Sequence, residues 1–316
     1  MKPKLMKTIQ VYEYGDIDVL KYEEVIVPVP NEKEVLVRVY ASAVLPIEWK
    51  IRKGLFKSFF PVSFPYTPGS SFSGEVIAVG ESVKEYEIGQ FVFGRSTKGT
   101  YTEYLTISEK ELIPLPNGLS FEDAVTISGG AATAWNALIT EGHIKSGQKV
   151  LIHGAAGGVG QYAIQIAKQI GAEVIGTAST KNIEFVKNLG ANQVIDYTKT
   201  QFENELNEVD FVFDTVGGKT LERSWSVVKP GGKIVSIVEI PNAKKAEQLG
   251  VQAIKPSQLP SKEVFSKIAN LIAQKKYKST IFKRFSLHEA REAHKLSETG
   301  HGTGRIILKM NDTYKQ

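Results

Sequence analysis

The chain contains no cysteine among its 316 residues. That excludes disulfides, thiolate nucleophiles and cysteine-ligated zinc. Histidine is scarce: there are five, at 143, 153, 288, 294 and 301, and none falls in H-E-x-x-H or a comparable ligand spacing. A histidine–carboxylate metal site therefore has no support. No apolar run reaches the length of a membrane span, and the opening MKPKLMKTIQ has no apolar signal core, so the expected location is the cytoplasm. Nor is charge of one sign concentrated. The 39 Lys and Arg residues outnumber the 34 Asp and Glu by five. They come in small groups such as Lys244-Lys245, which read as solvated faces rather than a nucleic-acid surface. Internal repeats and low-complexity segments are absent as well. What is present is 42% hydrophobic and 23% charged residues, the composition of a globular chain long enough for two domains.

Residues 149–171, KVLIHGAAGGVGQYAIQIAKQIG, carry the first functional signal. Val150 to His153 read as a short buried strand, Gly154 to Gly160 as a glycine-rich turn, and Tyr162, Ile164, Ile166, Ala167 and Ile170 fall at helical spacing before Gly171. A helix N-terminus behind a glycine turn is a ready site for a pyrophosphate, because unpaired N–H groups and the positive end of the helix dipole meet there. Against G-x-G-x-x-G the first glycine is Ala155, with Gly157 and Gly160 at the third and sixth positions. The candidate cradle is Ala155, Ala156, Gly157, Gly158, Val159 and Gly160. An ordinary strand–helix turn is the alternative reading.

Upstream, 35–40, 74–80 and 89–94 are short β candidates, broken by prolines and glycines. They predict a β-rich domain, a partly open barrel. Helices are expected at 121–127 and 131–141. From 149 onward strands (149–152, 173–177, 193–195, 209–213, 233–238, 251–255) alternate with helices (160–170, 181–189, 201–207, 218–228). That alternation predicts an α/β fold, a doubly wound parallel sheet of six strands. The tail returns to mixed structure: helix 261–275, strand 281–285, helix 287–298 and strand 304–309. It is expected to pack on the first domain and leave a cleft between the two. The implied boundaries are 1–121 with 258–316, and 122–257.

In an NAD site a carboxylate ends the second strand and accepts hydrogen bonds from the ribose hydroxyls. Here that strand ends at Thr177-Ala178 and is followed by Ser179, Thr180 and Lys181. Hydroxyls and an ammonium suit a 2′-phosphate, so NADPH is the expected cofactor. Ser179-Thr180 also reads as a cap for the next helix. Tyr197, after the third strand, either reaches the adenosine phosphate or simply packs.

Several motifs in this order resemble a known family: AAGGVG at 155–160, PYTPG at 65–69, SGEVIAVG at 73–80, VFDTVGG at 212–218, KPGGKIVSI at 229–237, and PIEWKIRKG at 46–54. Together they resemble the zinc-independent medium-chain dehydrogenase/reductases, in particular the quinone oxidoreductase group with zeta-crystallin-like proteins and 2-alkenal (enone) reductases. The resemblance implies a GroES-like catalytic domain split around a Rossmann domain. It implies NADPH-dependent reduction of a quinone or of the activated C=C of an α,β-unsaturated carbonyl. It also implies a homo-oligomer, a dimer joined through the sheet edge at 251–254. Zinc-dependent relatives place Cys and a His-Glu pair where this chain has Leu45 and Ser70-Ser71, so no metal is expected.

The same resemblance assigns residues. Thr133 is expected near the nicotinamide, Ser236 and Ile237 beside the cofactor, and Val216 and Gly217 at the ribose. Leu45, Trp49, Tyr66 and Phe72 are expected on the substrate side, with core packing the alternative for Trp49 and Phe72. Tyr66 is the candidate proton or hydrogen-bond donor, or an aromatic packing its loop. Lys50 is a candidate cofactor contact or a solvent-facing lysine. Two rival functions stay open on sequence alone. One is a non-catalytic NADPH-binding sensor or RNA-binding protein. The other is a zinc-free alcohol dehydrogenase.

Overall fold

Strong period-2 and all-apolar runs dominate the chain, and the computed structural model, which describes residues 4–257 and 260–310, turns them into fifteen strands among those residues. In chain order these are β1 (Leu5–Gln10), β2 (Lys21–Ile26), β3 (Glu34–Val44), β4 (Ser71–Val79), β5 (Phe91–Arg95), β6 (Tyr104–Ser108), β7 (Leu112–Pro114), β8 (Lys149–Ile152), β9 (Glu173–Ala178), β10 (Gln193–Asp196), β11 (Val209–Asp214), β12 (Val228–Ser236), β13 (Gln252–Ile254), β14 (Ile281–Ser286) and β15 (Arg305–Lys309). The α-helices are α1 (Pro46–Arg52), α2 (Phe121–Thr126), α3 (Ala132–Trp135), α4 (Gly160–Ile170), α5 (Ile183–Asn188), α6 (Gly218–Ser224), α7 (Ala243–Leu249), α8 (Lys262–Ala273) and α9 (Ala290–Glu298).

The chain divides into two compact units. One holds residues 1–128, 265–276 and 281–316, the other 129–264 and 277–280. The first division falls at 128/129 rather than 121/122 because α2 belongs with the β-rich unit. Phe121 is buried edge-to-face against Tyr40 of β3, its carbonyl accepts from Ser73 of β4, and Glu122 pairs with Arg284 of β14 at 2.7 Å.

In the first unit β3 is the hub. Its sequence, EVLVRVYASAV, is buried at nine of eleven positions, as a strand covered on both faces must be. One edge pairs with β4, and the other with β6 along its first half and β15 along its second. The sheet runs β14-β15-β3-β4-β5-β7 with β6 on β3 and ends on two open edges. Register shifts at Leu36/Val37 and Val39/Ala41 bend β3. This is the partly open β-rich domain predicted.

In the second unit the order is β10-β9-β8-β11-β12-β13, with every pair parallel. Counted from β8 as strand 1 this is 3-2-1-4-5-6, the doubly wound dinucleotide-binding order. The predicted strands fall within a few residues of those observed, with two revisions. β12 starts at Val228 rather than 233, because the chain pairs with β11 through Val209↔Val228 before an irregularity at the Pro-Gly-Gly. The expected helix 201–207 is only a 3₁₀ turn, Phe202–Asn204. Phe202 packs on His153 at 4.6 Å under Arg223, and Leu206 packs on the same core.

Candidate active site

The glycine turn sits where the sheet reverses order, beyond the carboxyl end of β8 between β9 and β11. Gly154 takes a left-handed φ of +67°. It, not Ala155, is the first glycine of the turn. Ala155 is a packing residue: it is fully buried, its Cβ lies against Gly176 of β9, and its amide donates to the Thr177 carbonyl at 3.1 Å. Its expected place in the phosphate cradle is therefore withdrawn. Gly160 opens α4 so close to the turn that a Cβ there would lie 2.2 Å from the Gly154 carbonyl oxygen. At Gly157 a Cβ would meet only that same oxygen, at 3.2 Å, which leaves the backbone open to a ligand. The N-cap residue of α4, Val159, offers no side-chain cap. Ala156 to Gly160 thus present an uncapped helix start, the feature that a pyrophosphate satisfies.

At the end of β9, Ala178 is buried and Ser179 half-buried, with Lys181 exposed beyond. The hydroxyl of Ser179 caps nothing, while that of Thr180 donates to Asp196 Oδ2 at 2.5 Å. Asp196 was not singled out from the sequence, because the expected acid belongs to the second strand and this one ends the third. Register brings it directly opposite Ala178. Its carboxylate accepts from Thr180, from the Thr198 hydroxyl at 2.6 Å and from the Thr198 amide at 3.0 Å. These bonds hold it below the usual carboxylate range, against the smaller effect of burial. Tyr197 is half exposed, and its amide donates to the Ala178 carbonyl.

The loop after β11 is fixed by another acid the sequence reading passed over. Asp214, fully buried, accepts from the amides of Val216 and Gly217 and from the Ser236 hydroxyl at 2.7 Å. Ser236 also accepts from the amides of Val238 and Glu239. Its hydroxyl is therefore a clamp between the ends of β11 and β12, not a free cofactor contact. Val216 is exposed and Ile237 half-buried on that rim. Thr133 is half-buried in α3. His153 is structural: Ser224 donates to the Thr220 carbonyl and so accepts from Nε2 at 2.9 Å. Burial first, and Arg223 second, push its pKa down to about 3.

The first unit carries its own cluster at the start of α1. Glu48 is buried, and its Oε2 accepts from the Leu45 amide at 2.8 Å and the Tyr101 hydroxyl at 2.6 Å. Its Oε1 accepts from Ser70 Oγ at 3.1 Å. Burial pushes this carboxyl up to about 7, with the three hydrogen bonds and the charge of Arg305 opposing it. Behind Tyr101 stands His294, with Nε2 3.3 Å from the Tyr101 hydroxyl and Nδ1 3.1 Å from Arg52 Nη1. A guanidinium only donates, so Nδ1 accepts and Nε2 carries the hydrogen. Burial, then Arg52, push His294 down to about 3. Arg52, with no exposed surface, pairs with Glu298 at 2.5 Å and donates to the Gly15 carbonyl.

Of the expected substrate-side residues, Phe72 is not one: it is fully buried in the apolar core of the unit with Val39, Val76 and Tyr101. Leu45 is likewise buried, with Tyr40, Phe121 and Ile307; only its amide serves the cluster. Lys50 lies 5.6 Å from the Trp49 ring centroid. Trp49 Nε1 and the Tyr66 hydroxyl are different: both are buried and have no hydrogen-bond partner. Burial raises the Tyr66 pKa, and the charge on Glu48 adds to the rise. An open cavity of about 390 Å³ is walled by Tyr66, Gln10, Thr67, Thr97 and Lys98.

The site does not suit a metal. Leu45, Ser70 and Ser71 offer no zinc ligand, the oxygens of Glu48 are engaged by three donors, and no group of three or more His, Asp or Glu side chains among the described residues is placed to hold an ion. Among those residues no helix is long and apolar enough to cross a membrane.

Residues 31–117 match the alcohol dehydrogenase GroES-like domain family and residues 189–308 the zinc-binding dehydrogenase family. A chloroplastic quinone-oxidoreductase homolog of Spinacia oleracea is 32% identical over 98% of this chain and 100% of its own. A chloroplastic NADPH-dependent alkenal/one oxidoreductase of Arabidopsis thaliana is 31% identical over 97% and 80%. The structure of the quinone oxidoreductase from Coxiella burnetii superposes with a TM-score of 0.90 at 35% identity, over 98% of this chain and all of that one. The chain belongs to the quinone oxidoreductase group of the medium-chain dehydrogenase/reductases.

Proposed function

We propose that the protein transfers a hydride from NADPH to a quinone or to the activated double bond of an α,β-unsaturated carbonyl. The observation that carries the cofactor choice is the end of β9: no carboxylate follows Ala178, and a half-buried hydroxyl with no cap to serve, Ser179, stands two residues before Lys181. NADPH, when bound, supplies the hydride. Ala156 to Gly160 hold its pyrophosphate, and Ser179 and Lys181 its 2′-phosphate. Thr180 and Thr198 hold the Asp196 carboxylate in place at the end of the neighbouring strand. Asp214 keeps Val216 and Gly217 in place at the ribose. Trp49 Nε1 and Tyr66 Oη, the partnerless donors, bond the substrate oxygen as it gains negative charge. A conjugated acceptor spreads that charge by itself and needs no Lewis acid, in keeping with a site that has no metal ligands. We assign the protein to the cytoplasm as a dimer joined through β13, one of the two outer strands of the parallel sheet.

The test is loss of NADPH absorbance against quinones, 2-alkenals, cyclic enones and saturated aldehydes, with NADH alongside. Turnover of an unsaturated class with NADPH preferred is expected. Comparable turnover of saturated aldehydes would move the protein to alcohol dehydrogenase chemistry, and tight NADPH binding without turnover to a sensor. Lys181→Ala is expected to raise KM for NADPH about tenfold or more and leave that for NADH unchanged, since a charge-assisted hydrogen bond contributes about 1.5–3 kcal/mol. Equal effects on both cofactors would place the 2′-phosphate elsewhere.

A further inference from the structure

Glu48 is a carboxyl group the hydride reaction above does not use, buried in the first unit and coupled by charge to Tyr66. Around it lie Tyr101, Ser70 and the Leu45 amide as hydrogen-bond donors, and Arg305, Arg95 and Tyr66 through charge. Its two oxygens are not equivalent. Oε2 accepts from both the Leu45 amide and the Tyr101 hydroxyl. A proton on this carboxyl therefore rides on Oε1, facing Ser70 Oγ. The bond between them then reverses: Oε1–H donates to Ser70, whose own hydrogen is released to point away from Glu48. Behind the cluster the chain runs one way. Arg52 donates to His294, His294 to Tyr101, and Tyr101 to Glu48. His294 stays neutral at physiological pH and closes that side to proton entry. Ser70, half-buried, is the side that opens.

We propose that Ser70 delivers the proton that completes reduction of an enone, and that Glu48, acting through Ser70, resupplies it. The proposal rests on the hydride transfer proposed above. After hydride reaches the β-carbon, the α-carbon of the enolate takes the Ser70 hydroxyl proton as a new C–H bond. Ser70 Oγ takes the proton from Glu48 Oε1 as that O–H bond breaks. Glu48 is left as a carboxylate held by Tyr101 and Leu45, and water returns a proton through Ser70. The position of the carboxyl, up to about 7, leaves it protonated in a useful fraction near neutrality. A quinone has no such need, because its product anion is on oxygen and takes protons directly from water.

Ser70→Ala tests this. It is expected to lower kcat for an enone on the order of 10²-fold and that for a quinone far less, and Ser70→Thr is expected to restore the enone rate. In the wild type, kcat for the enone falls as pH rises through about 7. In Glu48→Gln, which keeps the acceptor for Leu45 and Tyr101, the profile is flat. Infrared titration of the cofactor-free protein is expected to show a carboxyl deprotonating near 7 that Glu48→Gln removes. Equal losses for enone and quinone, or an enone rate unaffected in Ser70→Ala, would overturn the relay while leaving the hydride reading intact. A wild type that oxidises no NADPH with either class would overturn that reading and the relay with it.

Discussion

Arg52→Met is expected to destabilise the first unit by about 3–5 kcal/mol, because breaking a buried ion pair strands the partner groups while their desolvation cost remains. The arginine has no exposed surface and spends all three guanidinium nitrogens internally, on Glu298, His294 Nδ1 and the Gly15 carbonyl. Methionine fills the space of the stem and satisfies none of the three. Lys53, 2.6 Å from Glu298, still neutralises that carboxylate, so the effect belongs at the lower end of the range. The pH dependence has a definite sign. Burial raises the Glu298 pKa, but bonds and charge from Lys53 and Arg52 outweigh it and hold the group below its ordinary 4.5. A depressed carboxylate stabilises the fold above its unfolded pKa and loses that contribution as pH falls through the folded value. The gap between wild type and Arg52→Met is therefore expected to be full at pH 7 and to shrink below about 4.5. Urea unfolding followed at several pH values reads it. A pH-independent gap would mean that lost packing, not the ion pair, sets the effect.

Gly160→Val is expected to abolish dinucleotide binding. Even the first carbon of the new side chain would lie 2.2 Å from the Gly154 carbonyl oxygen and 2.7 Å from Ala155 Cα, and both obstacles are backbone. The turn and α4 must separate, which costs about 1–3 kcal/mol of overpacking strain and moves the amides that meet the pyrophosphate. Calorimetric titration is expected to show affinity for NADPH and for NADH lost together, in contrast to Lys181→Ala, which separates the two. Unchanged affinity for either cofactor in Gly160→Val would remove the turn from the binding site.

These substitutions also divide what sequence reading reaches from what it does not. Strand and helix alternation, the glycine turn and the missing acid after Ala178 are local patterns, set by side-chain period, backbone freedom and charge at one point of the chain. The sequence by itself therefore determined the doubly wound sheet and the β-rich unit. It did not locate Glu48, His294, Arg52 and Tyr101 as one cluster, since they meet across up to 242 positions and each alone reads as an ordinary surface or core residue. Register decided that Asp196 stands opposite Ala178. Three-dimensional packing decided that Phe72 and Ala155 are interior, and that Gly154 supplies the turn. Tertiary structure decides such matters because burial and hydrogen-bond satisfaction are properties of what surrounds a side chain, and for these residues the surroundings come from distant strands and helices.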